Sequence, residues 1–203
     1  TGFTAEDMSG KVQVGNGKTV IEDMSIKDGN SDLSLPLFMM SYENAKAFQD
    51  FMKKVKLDAK ISESQLTLKT LSYFIPELEG KDLALAVSGN ISGTVADFTV
   101  ADLRFASGNG QVAGRVNGVV RGLPEVRNTS LDIALEGLRF TTQGISGIAG
   151  QFSKGAIIPE YIARGIGFDA DVRAYGRFSH MNVSTQVRTT KGNADADVLI
   201  ENI

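Results

Sequence analysis

The sequence predicts an all-β protein with a few short helices, in which long strands form a curved sheet shaped as a half-open sandwich or trough. Three observations predict it. Apolar and polar residues alternate with period two over unusually long stretches, most clearly across 83–95. Glycine is frequent, 22 of 203 residues, and follows no three-residue period, so it punctuates strands and does not build collagen. Helical spacing is strong in only one place, 43–55.

The elements follow in order. Across 32–40, alternation puts Leu33, Leu35, Leu37 and Met39 on one face. Pro36 lies on the other and has no N–H, which predicts an edge strand or a bulge there. Leu66, Leu68 and Leu71 suggest a further strand, ended by a turn around Pro76. The stretch 83–95 keeps one parity through Leu83, Leu85, Val87, Gly89, Ile91, Gly93 and Val95, about twice the common strand length of roughly 5–6 residues. Gly108, Asn109 and Gly110 form the turn of a hairpin between Leu103/Phe105 and a strand carrying Val112, Gly114, Val116, Gly118 and Val120. Leu131, Ile133 and Leu135 begin another strand. Parity returns over 166–178 through Ile166, Phe168, Ala170, Val172, Ala174, Gly176 and Phe178, followed by Val183/Val187 and Ala194/Val198/Ile200. Gly93 aligns with Gly176 and Val95 with Phe178, a weak internal repeat of the kind that builds elongated β-architectures.

The helical stretch 43–55 carries Ala45, Phe48, Met52 and Val55 on one side, with Ser41 as its expected cap. Packing of that side against the sheet is favoured over a membrane-surface role for it and its lysines 46, 53, 54 and 56. Weaker helical stretches fall at 146–152 and 160–164, the latter opened by Pro159. No linker divides the chain, so 1–203 reads as a single β-rich segment of a larger protein, with 1–80 and 81–203 as sub-units at most. Thr1 follows neither a methionine nor a signal sequence, which suggests an excised piece.

Chemistry is sparse. There is no cysteine, which excludes disulfides and thiolate ligands, and His180 is the sole histidine, in an expected turn. Asp169/Asp171 and Asp195/Asp197 share strand faces and read as the wet side of amphipathic strands more readily than as a calcium site. Glycines 108 and 110 precede a strand, not the helix that a phosphate loop requires. A net charge of −3 gives no basic surface for nucleic acid. No apolar run reaches the length of a membrane-spanning helix, and the small stripe Gly144/Gly147/Gly150 therefore implies close packing. No catalytic residue, metal or cofactor is expected.

The apolar rows are interrupted by small residues (Gly89, Gly93, Gly114, Gly118, Ala170, Ala174), which leaves room for a close sheet partner or for an inserted apolar guest. The expected groove lining is Leu85, Val87, Ile91, Val95, Val112, Val116, Val120, Phe168, Val172, Ala174, Phe178 and Val198. The competing expectation is ordinary sheet-on-sheet packing, as in a β-sandwich binding or adhesion module outside the cell or in the periplasm. Without tryptophan and with four tyrosines, a sugar-stacking platform is disfavoured.

Gly89, Ile91, Gly93, Val95, Asp97 and Val100 match the repeated G-x-I-x-G-x-V-x-D-x-x-V unit of the TamB (translocation and assembly module) family of the AsmA-like superfamily, and the chain resembles that family. Gly122-Leu123-Pro124, followed by Thr129, Asp132 and Ile133, resembles the G-L-P step of its Bacteroidetes-type members. Pro159, Ile162, Gly165, Phe168, Gly176 and Phe178 resemble its later P…L-G…F-x-G-x-F-x-G pattern, with Asp171 where glycine is common. The likeness covers 83–200 directly. It implies a periplasmic segment of a protein anchored in the inner membrane. It implies an apolar trough that moves phospholipid by its acyl chains to the outer membrane, and a partner among outer-membrane barrel assembly proteins.

Overall fold

In a computed structural model, described over residues 4–73, 78–108, 110–125, 128–141 and 167–201, the chain forms one eleven-stranded antiparallel sheet. Its strands are β1 (Asp7–Gly15), β2 (Lys18–Lys27), β3 (Asp32–Ser41), β4 (Lys56–Thr67), β5 (Ala84–Gly93), β6 (Asp97–Ser107), β7 (Val112–Arg121), β8 (Ser130–Phe140), β9 (Phe168–Arg177), β10 (His180–Thr189) and β11 (Gly192–Glu201). Every strand pairs with its sequence neighbours in the order β1 to β11, a plain meander. The sheet does not close: β1 and β11 are free edges among the described residues. It runs without a break across position 80, because β4 pairs with β5.

Bulges bend this sheet. β2, β4, β6 and β8 each carry one residue more than a neighbouring strand, and each extra residue adopts a left-handed backbone: Asp23, Glu63, Asp102 and Gly137. A bulge kinks its strand and increases the local twist. Four in alternate strands draw a bend line across β1–β9, and the sheet becomes a trough. Two neighbouring side chains satisfy the freed amides. Asp102 N–H donates to Asn117 Oδ1 at 2.7 Å, and Gly137 N–H donates to Asp171 Oδ1 at 2.8 Å.

The expected bulge at Pro36 is present. Leu35 and Pro36 sit between the pairs Ser34/Ser62 and Leu37/Lys60, where β4 offers only Ile61. β3 is nonetheless an interior strand, and the expected single face of Leu33, Leu35, Leu37 and Met39 is corrected. The bulge swaps parity, so Leu33 and Leu35 share a face with Phe38 and Met40, while Leu37 turns outward and is exposed. The strand expected through Leu68 and Leu71 stops at Thr67, whose hydroxyl accepts from Thr70 N–H and caps the short helix α2 (Leu68–Ser72). The 43–55 helix is a 3-10 turn, Ala45–Asp50, running into α1 (Phe51–Lys54). Its cap is Asn44, not Ser41, because Ser41 still pairs with Lys18 and Lys56 in β3. Ala47 and the following Val55 are buried, but Ala45 and Phe48 of the expected apolar side are exposed, because a 3-10 helix, with three residues per turn, does not keep the 3.6-residue spacing on one side. The stretches 146–152 and 160–164, Asn109, Pro76 and the glycines 144, 147 and 150 lie outside the described residues.

The two ends of the trough are finished differently. At one end the connections are stitched into a hydrogen-bonded rim. Tyr42 N–H donates to the Gly17 carbonyl, Ala96 N–H to Met52, Gly122 and Leu123 N–H to Ala96, and Phe178 N–H to Thr129. At the other end the β2–β3 turn meets the start of α2 in a buried polar knot. Asp28 accepts from Thr70 Oγ1 at 2.6 Å and from the backbone of Ser31 at 2.6 Å and Asn30 at 3.0 Å, and Ser31 Oγ contacts Thr70 Oγ1 at 2.6 Å.

Candidate functional site: the apolar face of the trough

Paired residues on antiparallel strands point to the same side, so the register identifies each face. One rung crosses all eleven strands without a polar residue: Val12, Ile21, Phe38, Ala59, Ile91, Val100, Gly118, Ile133, Ala174, Val183 and Val198. The next rung, from Val14 through Leu57, Phe98, Val120 and Leu131 to Ile200, has one polar member, Thr19. Thr19 is buried, and its hydroxyl bonds to Tyr42 Oη at 3.0 Å. A third rung joins Leu103, Val116, Leu135 and Val172, and a fourth joins Leu138, Ala170, Val187 and Ala194.

The opposite face is charged. Ion pairs link neighbouring strands there: Arg115 with Glu136, Arg173 with Asp132, Arg139 with Asp169 and Arg188 with Asp171. The Gly137 N–H and then the Arg188 guanidinium hold the Asp171 carboxyl below its ordinary pKa. These groups are well exposed, so each pair contributes little to stability and chiefly keeps this side in water.

Ten of the twelve expected lining residues stand on strands of the apolar face. Leu85, Val87 and Ile91 lie on β5, Val112, Val116 and Val120 on β7, Phe168, Val172 and Ala174 on β9, and Val198 on β11. Val95 and Phe178 stand instead in the β5–β6 and β9–β10 turns of the stitched rim, because β5 ends at Gly93 and β9 at Arg177. The structure adds to this face residues that the sequence reading did not include in the lining, although it placed several of them on strands: Phe98, Val100, Leu103 and Phe105 of β6, and Leu131, Ile133, Leu135, Leu138 and Phe140 of β8. The signal for them was a parity jump, from Val100 to Leu103 and from Leu135 to Leu138, which marks the bulge.

Burial along this face is incomplete. Leu35, Val87, Val100, Val112 and Ala170 are buried, whereas Ile91, Val116, Val120, Phe168, Val172 and Ala174 are half-buried. Val198 is 52% exposed and Val14 75%. Two sheets sealed face to face would bury these rungs throughout.

The glycines, however, do not leave the room expected of them. A Cβ on Gly93 would lie 2.4 Å from the Asp97 carbonyl oxygen, and one on Gly118 would lie 2.3 Å from that of Asp132. Over Gly114 the Phe105 ring and Leu138 already occupy the space. Adjacent strands and their larger side chains use it, so any guest must lie on the face and not within gaps in it.

His180 opens β10, and its Nδ1 lies 3.2 Å from Glu201 in an exposed pair. Among the described residues no three His, Asp or Glu side chains converge as a metal site would require, and no helix is long and apolar enough to cross a membrane.

Fold and face together define an open antiparallel meander with one greasy and one charged side. Comparison with protein-family models, with curated proteins and with solved structures finds no match to this chain.

Proposed function

We propose that this chain is a periplasmic segment of a TamB-like lipid conduit, and that its apolar face carries phospholipid acyl chains toward the outer membrane. The observation that carries the reading is the rung from Val12 to Val198, which is apolar in every strand and only partly covered. An acyl chain laid on such a face gains about 0.8 kcal/mol per buried methylene. The contact is non-directional, so the chain can slide from strand to strand with little change in energy. The polar outer face keeps the trough in water, and neither cofactor nor catalytic group is needed. In this reading the whole protein is anchored in the inner membrane and hands its cargo to an outer-membrane barrel assembly protein.

The test is photo-crosslinking in cells. A photoreactive residue at Val87, Ile91 or Ala174 should yield covalent phospholipid, and one at Ser92 on the outer face should not. Adducts confined to Ser92, or absent from all the inner positions, would overturn the conduit and leave a binding module that uses the open sheet for another class of partner as the better account.

A further inference from the structure

The connection from β3 to β4, residues 42–55, stands on the stitched rim and does not spend all of its apolar side chains on packing. Ala47 and Val55 are buried, but Phe48 is 42% exposed, and Phe51 and Met52 are half-buried. The rings form one cluster. Tyr42 meets Phe48 edge-on with 4.7 Å between centroids, and Phe48 lies 6.1 Å from Phe51. Hydrogen bonds fix this cluster in place. Tyr42 N–H donates to the Gly17 carbonyl in the β1–β2 turn, Tyr42 Oη bonds to the buried Thr19 hydroxyl, and the Met52 carbonyl accepts from Ala96 N–H in the β5–β6 turn. The exposed ring is therefore presented on a fixed support.

Lysines surround it. Lys46, Lys53, Lys54 and Lys56 are exposed in or next to this connection, and exposed Lys18 lies with Lys56 on either side of Ser41 in one rung. Of the five, only Lys54 meets an acid among the described residues, Asp50 at 3.9 Å. Glu43 is the other acid of the connection. This gathering of positive charge belongs to a chain whose net charge is −3.

We propose that this end of the trough docks on an anionic membrane surface, with Phe48 inserted at the headgroup level and Lys18, Lys46, Lys53 and Lys56 against the lipid phosphates. A ring buried at the boundary between headgroups and acyl chains gains apolar contact, and each lysine held near an anionic surface adds about fivefold in affinity. An acidic protein would have to match these flexible lysines with fixed carboxylates and also open a pocket for the ring. A fluid layer of anionic headgroups meets both demands without a built counterpart. The inference concerns the rim alone and holds whether or not lipid moves along the apolar face.

The chain contains no tryptophan, so Phe48→Trp places a single fluorescent reporter at the exposed ring. With the whole chain at low salt, vesicles of phosphatidylglycerol and phosphatidylethanolamine in equal parts should shift its emission to the blue and shield it from acrylamide. Phosphatidylcholine vesicles should do neither. Flotation of the unsubstituted chain with the same vesicles reads binding without the reporter, and binding should fall as salt is raised. Lys46→Ser with Lys53→Ser, at exposed positions, should weaken it roughly 20-fold. Val183→Glu on the apolar face should leave it unchanged, which separates docking from cargo uptake. No blue shift with anionic vesicles, equal binding to neutral ones, full affinity in the lysine variant, or loss of binding in Val183→Glu would each overturn the proposal. Equally tight binding of a polyglutamate peptide would overturn it in favour of an acidic protein partner.

Discussion

At the scale of single residues, two positions show how closely the backbone constrains the sequence. Gly93 and Gly176 occupy equivalent places at the ends of β5 and β9, with φ near +120° and +126°. A side chain at Gly93 would meet both the left-handed penalty and the Asp97 carbonyl oxygen. Gly93→Val should therefore cost about 2–4 kcal/mol in urea denaturation. A loss under 1 kcal/mol would show that the turn relaxes freely. Asp28 is the other position. Burial raises its pKa, but the hydrogen bonds from Thr70, Ser31 and Asn30 together outweigh burial and hold the carboxyl below its ordinary 3.8. Its stabilising contribution is complete above that value and is lost as the pH falls through the lower, folded-state pKa. Melting temperature should thus fall on acidification in the wild type, and Asp28→Asn should flatten that acid limb. An unchanged acid limb in the variant would place the sensitivity elsewhere.

At the scale of elements, the bulges decide which residues reach the apolar face. Deleting Asp102 removes the extra residue of β6 and forces either Phe98/Val100 or Leu103/Phe105 to the wet side. The deletion should abolish cooperative unfolding. Asp102→Gly keeps the residue count and relieves the left-handed conformation while losing only exposed ion pairs, so its stability should stay within about 1 kcal/mol of wild type. Equal behaviour of the two variants in thermal melts would refute the bulge account. Much at this scale was legible in the sequence. Pro36 announced its bulge because a missing N–H cannot serve a regular ladder. Strands β5, β7 and β9 declared themselves because no bulge breaks their parity. β1, β2 and β4 were harder to read. β1 is exposed on both sides, and β2 and β4 change parity at Asp23 and Glu63.

At the scale of the whole molecule, the trough works as a surface only if its rungs are continuous. Val183 is the tenth member of the eleven-membered rung, between Ala174 and Val198. Val183→Glu should reduce lipid adducts at Ala174 several-fold, because a carboxylate on the track must be desolvated when an acyl chain lies over it. Ser184→Glu, one residue on and on the outer face, should leave the adducts unchanged. If both substitutions act alike, the lipid does not run along this face. The same continuity carries the described sheet across position 80, since β4 and β5 share a rung as other neighbouring strands do.

The sequence by itself determined the strand-rich class and the greasy-versus-wet division along the unbulged strands β5, β7 and β9, because a period of two is a local property of the extended chain. Only the tertiary structure decided that all eleven strands lie side by side in chain order, that alternate strands are bulged, and that the glycines are crowded by their neighbours. Those features depend on register between strands, and register arises from pairing across the sheet, which no single stretch of residues encodes alone.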